Sequence, residues 1–171
     1  LAESDRSIAL NPSDTVALYS RGTVLVWLGR LPEAIAVLET VRRFDPSLDD
    51  VVLPLAYYLA GRYRDALAVA EARIAQSPEV AMPYAVRAAT LERMGMKEQA
   101  GEAVAQLRRV APFARAELFA SQLRDRAQAA DFHDTLRNAG LRETLPPSRF
   151  PVLLRERLDA SVGAMEQNVQ A

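Results

Sequence analysis

Apolar residues recur along this chain at steps of three and four. In the segment 34–41, Ala34, Leu38 and Val41 fall at i, i+4 and i+7. Ala100, Val104 and Leu107 repeat that spacing, as do Ala66 and Ala70, with Arg73 in the third place. Such stripes are the buried face of amphipathic helices. Between them, Gly29-Arg30-Leu31-Pro32, Gly61-Arg62-Tyr63-Arg64 and Gly95-Met96-Lys97-Glu98 read as tight turns joining antiparallel helices, because glycine after a helix adopts the left-handed conformation that ends it. Pro32 suits a first helical turn, where its missing N–H is no loss.

The pattern is periodic. Pro12, Pro46, Pro78 and Pro112 are spaced by 34, 32 and 34 residues. Gly29, Gly61 and Gly95 each stand five residues ahead of Ala34, Ala66 and Ala100, and each alanine stands twelve ahead of its proline. The alanines predict close helix crossings. The prolines predict the end of each second helix, since the residue before a proline avoids the α region. The second copy is two residues short, most simply just before Gly61. The array spans 1–112: a partial repeat at 1–12, then repeats 13–46, 47–78 and 79–112. The start, Leu1-Ala2-Glu3-Ser4, reads like the middle of a helix, as in a piece of a longer chain.

These columns resemble the tetratricopeptide repeat family. The family positions hold Leu18, Arg21, Gly22, Leu25, Ala34, Leu38 and Pro46 in the first copy. They hold Val52, Leu55, Ala56, Leu59, Ala66, Ala70 and Pro78 in the second, and Tyr84, Arg87, Ala88, Leu91, Ala100, Val104 and Pro112 in the third. Arg21 and Arg87 depart from the usual leucine and are expected to lay their stems on the core with their heads in water. The resemblance implies an all-α fold, a tetratricopeptide-type α-solenoid, with a concave groove lined by the first helix of each copy. Carried onto this sequence, the peptide-binding groove comprises Val16, Tyr19, Thr23, Val26 and Trp27, then Leu53 and Tyr57 (with Asp50), then Met82, Glu92 and Arg93. Trp27 reads equally as a groove anchor or as inter-repeat core. The Lys and Asn with which chaperone-binding relatives clamp a terminal carboxylate are absent.

After Pro112 the period fails. Residues 113–143 read as capping helices, one over Phe113–Ala127 and one over Asp131–Ala139, the latter with Phe132, Leu136 and Ala139 on one face and Gly140 as its stop. Residues 148–171 read as an amphipathic tail helix. That tail is expected to fill the groove of its own chain or to join a second copy as a homodimer. Leu136-Arg137-Asn138-Ala139-Gly140-Leu141 resembles the closing helix of bacterial proteins that join a class III nucleotide cyclase to tetratricopeptide repeats, which offers a second reading: a regulatory or oligomerisation module of a larger enzyme.

Composition narrows the chemistry. The chain has 171 residues, half of them apolar and a quarter charged, with a net charge of −1. No whole-chain field attracts nucleic acid or an acidic membrane. Arg42-Arg43 and Arg108-Arg109 sit near the ends of second helices, where cations complement the helix dipole. There is no Cys and one His. Thiolate and multi-histidine metal sites are thereby excluded. His133 beside Asp134 reads as a solvent-facing residue, and Asp49-Asp50 as a helix start rather than a cation site. No glycine-rich phosphate loop occurs. No stretch reaches 18 apolar residues, so no membrane span is expected. The expectation is a cytoplasmic binder of a protein or peptide partner, with no cofactor and no enzymatic activity of its own.

Overall fold

Eight helices run through the described residues of the computed structural model, which are Arg6, Asn11, 14–46, Leu48 and 51–141. They are α1 (Thr15–Trp27), α2 (Leu31–Phe44), α3 (Leu53–Leu59), α4 (Tyr63–Gln76), α5 (Ala81–Arg93), α6 (Lys97–Val110), α7 (Ala116–Ala120) and α8 (Arg126–Asn138). No strand occurs among these residues. Leu141 closes the first of two compact units. The second, Arg142–Ala171, and with it the expected tail helix, lies outside the described residues, as does nearly all of the expected half-repeat at 1–12.

The helices start and stop by local chemistry. Asp14 caps α1, accepting from the backbone N–H groups of Val16 (3.1 Å) and Ala17 (3.0 Å), which satisfies donors that a helix start leaves free. Prolines stand in the first turns of α2 and α3. The turn glycines have φ of +75°, +74° and +77° at Gly29, Gly61 and Gly95. At each, the glycine N–H and the next N–H fold back onto the last helical turn, as in Gly29 to Val26 O (3.0 Å) and Arg30 to Leu25 O (2.9 Å). This is the Schellman arrangement that the glycine column predicts.

These turns fold the chain into helix pairs α1/α2, α3/α4 and α5/α6, and each second helix also packs on the next first helix. The crossings carry the expected small residues, since Ala34, Ala66 and Ala100 are all 0% exposed. Gly22 marks a tight crossing. A Cβ there would stand 2.6 Å from Leu38 Cδ2. The stripes on the second helices are buried too, including Leu38, Val41, Val104 and Leu107. Arg73, the odd member, is buried with its guanidinium donating to Gln76 Oε1 (2.6 Å) and Ser77 Oγ (3.4 Å).

Three details depart from expectation. The head of Arg87 is not simply in water: it donates to Gln106 Oε1 (2.8 Å) and pairs with Glu71 (3.5 Å), tying α5 to α6 and α4. The missing pair of residues in the second copy lies at the start of its first helix, not before Gly61. α3 has 7 residues where α1 and α5 have 13. Finally, Phe113–Ala127 does not form one helix. Ala116–Ala120 is helical, residues 121–125 are not, and α8 begins at Arg126 rather than Asp131. The break has a cause at its far end: Asp125 is extended and caps α8, accepting from Ala127 N (2.8 Å) and Gln128 N (3.1 Å). Leu123, between the two helices, is buried.

Candidate functional site

The turn hydrogen bonds fix which residues are equivalent among the first helices. Leu25, Tyr57 and Leu91 each accept from the residue following the turn glycine. Tyr57 is therefore the counterpart of two core leucines. Tyr58 is the counterpart of Val26 and Glu92, and Leu59 that of Trp27 and Arg93. Because the shortening falls ahead of α3, the first helix of the second copy shifts by two places: Tyr57, which matches Thr23 when the gap precedes Gly61, matches Leu25 instead.

The side chains follow this shift. Tyr57 is buried and its hydroxyl donates to Glu39 Oε1 (2.7 Å) on α2, while the Arg62 guanidinium lies 4.4 Å from its ring centre. Burial, and next the Glu39 carboxylate, push the Tyr57 hydroxyl up to about 12. Leu53, one turn earlier, lines a cavity of about 40 Å³ with Val41, Pro46, Val69 and Arg73. An open depression of about 740 Å³ beside α2 is lined by Glu39, Thr40, Arg42, Arg43 and Tyr57. Leu53 and Tyr57 thus lie against the second helices. On α1, Val26 is fully buried, Tyr19, Thr23 and Trp27 are half-buried, and Val16 is exposed. On α5, Met82 and Glu92 are half-buried and Arg93 is exposed.

Tyr58 instead faces α8. Its ring is tilted by 54° against that of Phe132, with centres 5.1 Å apart, an aromatic geometry worth about 0.5–1.5 kcal/mol beyond area burial. Arg93 reaches both the Tyr58 hydroxyl (3.5 Å) and the Asp131 carboxylate of α8. Burial raises the Tyr58 hydroxyl above its ordinary range. Phe132 and Leu136 are 0% exposed, each burial contributing about 1.5–3 kcal/mol.

α8 therefore crosses the first-helix side of the stack. Just ahead of its first turn, Arg124 N–H donates to Trp27 O (3.2 Å). Its middle sits on α5 and Tyr58. Past its end, Arg108 donates to Gly140 O (2.8 Å). The leading end fits less well than the middle. Gln128 Oε1 is buried beside Gly29 with no hydrogen-bond partner, at a cost of about 1–3 kcal/mol.

With the two-residue gap set before Gly61, Tyr58 falls outside the expected groove positions. The sequence pattern does place Phe132 and Leu136 on one apolar face, without their target. His133 is less exposed than its polar setting suggested, with its side chain at 23% and Nδ1 3.1 Å from Asp134 Oδ1. Among the described residues no group of three or more His, Asp or Glu is arranged to hold a metal, and no helix is long and apolar enough to cross a membrane.

Solved structures share this fold. A MamA double mutant superposes with a TM-score of 0.61 at 20% identity, over 80% of each chain. MamA residues 41 to the end, from Desulfovibrio magneticus RS-1, give 0.57 at 19% identity over 74% of each. YrrB, described as a TPR protein with an unusual peptide-binding site, gives 0.58 at 18% identity over 81% of this chain and 75% of its own. The fold is a tetratricopeptide-type solenoid. No family model matches the chain, and no curated protein sequence does. The likeness to cyclase-linked proteins rests on 136–141 alone, and those residues form the Schellman end of this solenoid's α8: Gly140 has φ +101°, Gly140 N–H donates to Arg137 O (2.9 Å), and Leu141 N–H to Leu136 O (2.9 Å).

Proposed function

We propose that this chain is a protein-interaction scaffold, not a catalyst, whose first-helix face receives a peptide or helix from another polypeptide in the cytoplasm. The receiving face comprises Val16, Tyr19, Thr23 and Trp27 of α1, Tyr58 of α3, and Met82, Glu92 and Arg93 of α5. The single observation that carries the reading is that the same face already packs an amphipathic helix, α8, through an aromatic anchor flanked by an ion pair. Helix-in-groove recognition uses the same parts: apolar anchors at helical spacing set affinity and rim charges set orientation. The tail at 148–171 is a further occupant, in its own chain or across a homodimer.

Affinity capture from the native cell tests the scaffold, comparing the chain with a Tyr19→Ala, Trp27→Ala variant. The variant is expected to lose partners that the parent retains. Equal recovery of the same partners by both removes the face from the reading. Truncation after Pro147 tests the tail, and unchanged solution mass, melting temperature and hydrophobic-dye binding would leave it without such a role.

A further inference from the structure

We infer that α8 is a built-in competitor for the scaffold's ligand, and that the ligand is an amphipathic helix bearing the same anchor pattern: an acidic residue, an aromatic residue next to it, and a leucine four places on. The inference rests on the scaffold reading above and adds the partner's chemistry and its regulation.

Three observations carry it. First, the stack meets α8 as a groove meets a peptide. Phe132 lies on Tyr58, Leu136 follows one turn later, and Arg93 pairs with Asp131 at the exposed rim. Within α8 and its Schellman end, burial is confined to Phe132, Thr135, Leu136, Ala139 and Leu141, whereas α5 buries eight residues. Second, α8 is joined to α7 by the non-helical stretch 121–125, which allows it to leave without unwinding a continuous helix. Third, its leading end is imperfectly satisfied at Gln128. A partner that keeps the Asp–Phe–Leu anchor and lacks this defect has the advantage in contacts, while α8 has the advantage of a high local concentration. The partner's apparent affinity is reduced by the fraction of chains in which α8 has left.

A fluorescent peptide of residues 124–141, added to the full chain and followed by anisotropy, tests the competition. Asp131→Arg in the chain sets a like charge against Arg93 and loosens α8, while the peptide keeps its own aspartate. The folded variant is expected to bind the peptide roughly ten-fold more tightly than the parent. A peptide carrying Phe132→Ala is expected to lose about ten-fold. A second pair guards against misfolding: an Arg93→Glu chain should prefer a peptide carrying Asp131→Arg. If neither folded variant gains affinity, or if both variants unfold by circular dichroism, α8 is a fixed part of the stack and the inference fails. A dimer that excludes the peptide would also overturn it, assigning the site to a second copy's α8. If α8 proves fixed while the Tyr19→Ala, Trp27→Ala chain still loses its partners, the scaffold stands and only the competitor role falls.

Discussion

The second helices of the repeats and α8 are both amphipathic, but they are held in different ways. α2, α4 and α6 are each fixed by a turn glycine, an alanine crossing and a stop, with the stopping proline 17 residues past the glycine. α8 packs on its neighbour α7 and is tied besides by Trp27, Tyr58, Arg93 and Arg108, which lie on four different helices. The repeats are thus written in local columns, whereas α8 takes its place on the stack from distant contacts added to its packing on α7. This difference also bears on mechanism, because an element held by scattered contacts can be exchanged for another that makes the same ones.

The comparison breaks most plainly at the crossings. Ala66→Leu adds three carbons at a position with no exposure. Overpacking of this kind costs about 3 kcal/mol, and chemical denaturation should show it as a loss for the whole stack. Gly22→Val is expected to cost about 2 kcal/mol, because the new side chain meets Leu38 in a crossing with no room for a Cβ. Little change in either variant would mean that the columns do not set the crossings.

Phe132→Ala probes the other side. A phenylalanine truncated in a fixed core costs about 3–5 kcal/mol. Here the loss should stop at the docking energy of α8, at about 1–2 kcal/mol, since past that point the helix leaves and the stack remains. Hydrogen exchange should then rise over 121–141 while α1–α6 keep their protection. Uniform loss of protection would place α8 in the same cooperative unit as the repeats.

How much could be read in advance follows the same division. The glycine, alanine and proline columns lie in the sequence because each answers a local demand: a positive φ, a close approach or a missing N–H. The turns, the crossings and the pairing of helices were therefore legible. The occupant of the first-helix side was not, because nothing near Phe132 names Tyr58, 74 residues earlier in the chain. The second copy misled for a related reason. A two-residue gap can be placed anywhere between two columns, and only the turn hydrogen bond from Arg62 to Tyr57 decides that it precedes α3. That two-place shift moves Tyr57 from the column of Thr23 to that of Leu25 and puts Tyr58 in the column of Val26.

The two tyrosines give the finest test of this placement. Tyr57 faces Glu39, Arg62 and Asp65, and its hydroxyl titrates at about 12 against an ordinary 10. The folded state thus holds the proton where the unfolded chain has released it, so stability is complete below pH 10 and falls as pH rises toward 12. Tyr58, raised by burial against α8, acts in the same direction. Tyr57→Phe removes the bond to Glu39 at a cost of about 1 kcal/mol at neutral pH. It should also shallow the alkaline decline of the stack and leave the exchange of α8 untouched. Tyr58→Phe should also shallow the alkaline decline, but it alone should raise exchange over 121–141, as Arg93 loses its hydroxyl partner. Denaturation curves at pH 8, 10 and 11.5 with exchange mapping on both variants distinguish the two, and identical behaviour would mean that the tyrosines share one environment, against the shifted placement of α3.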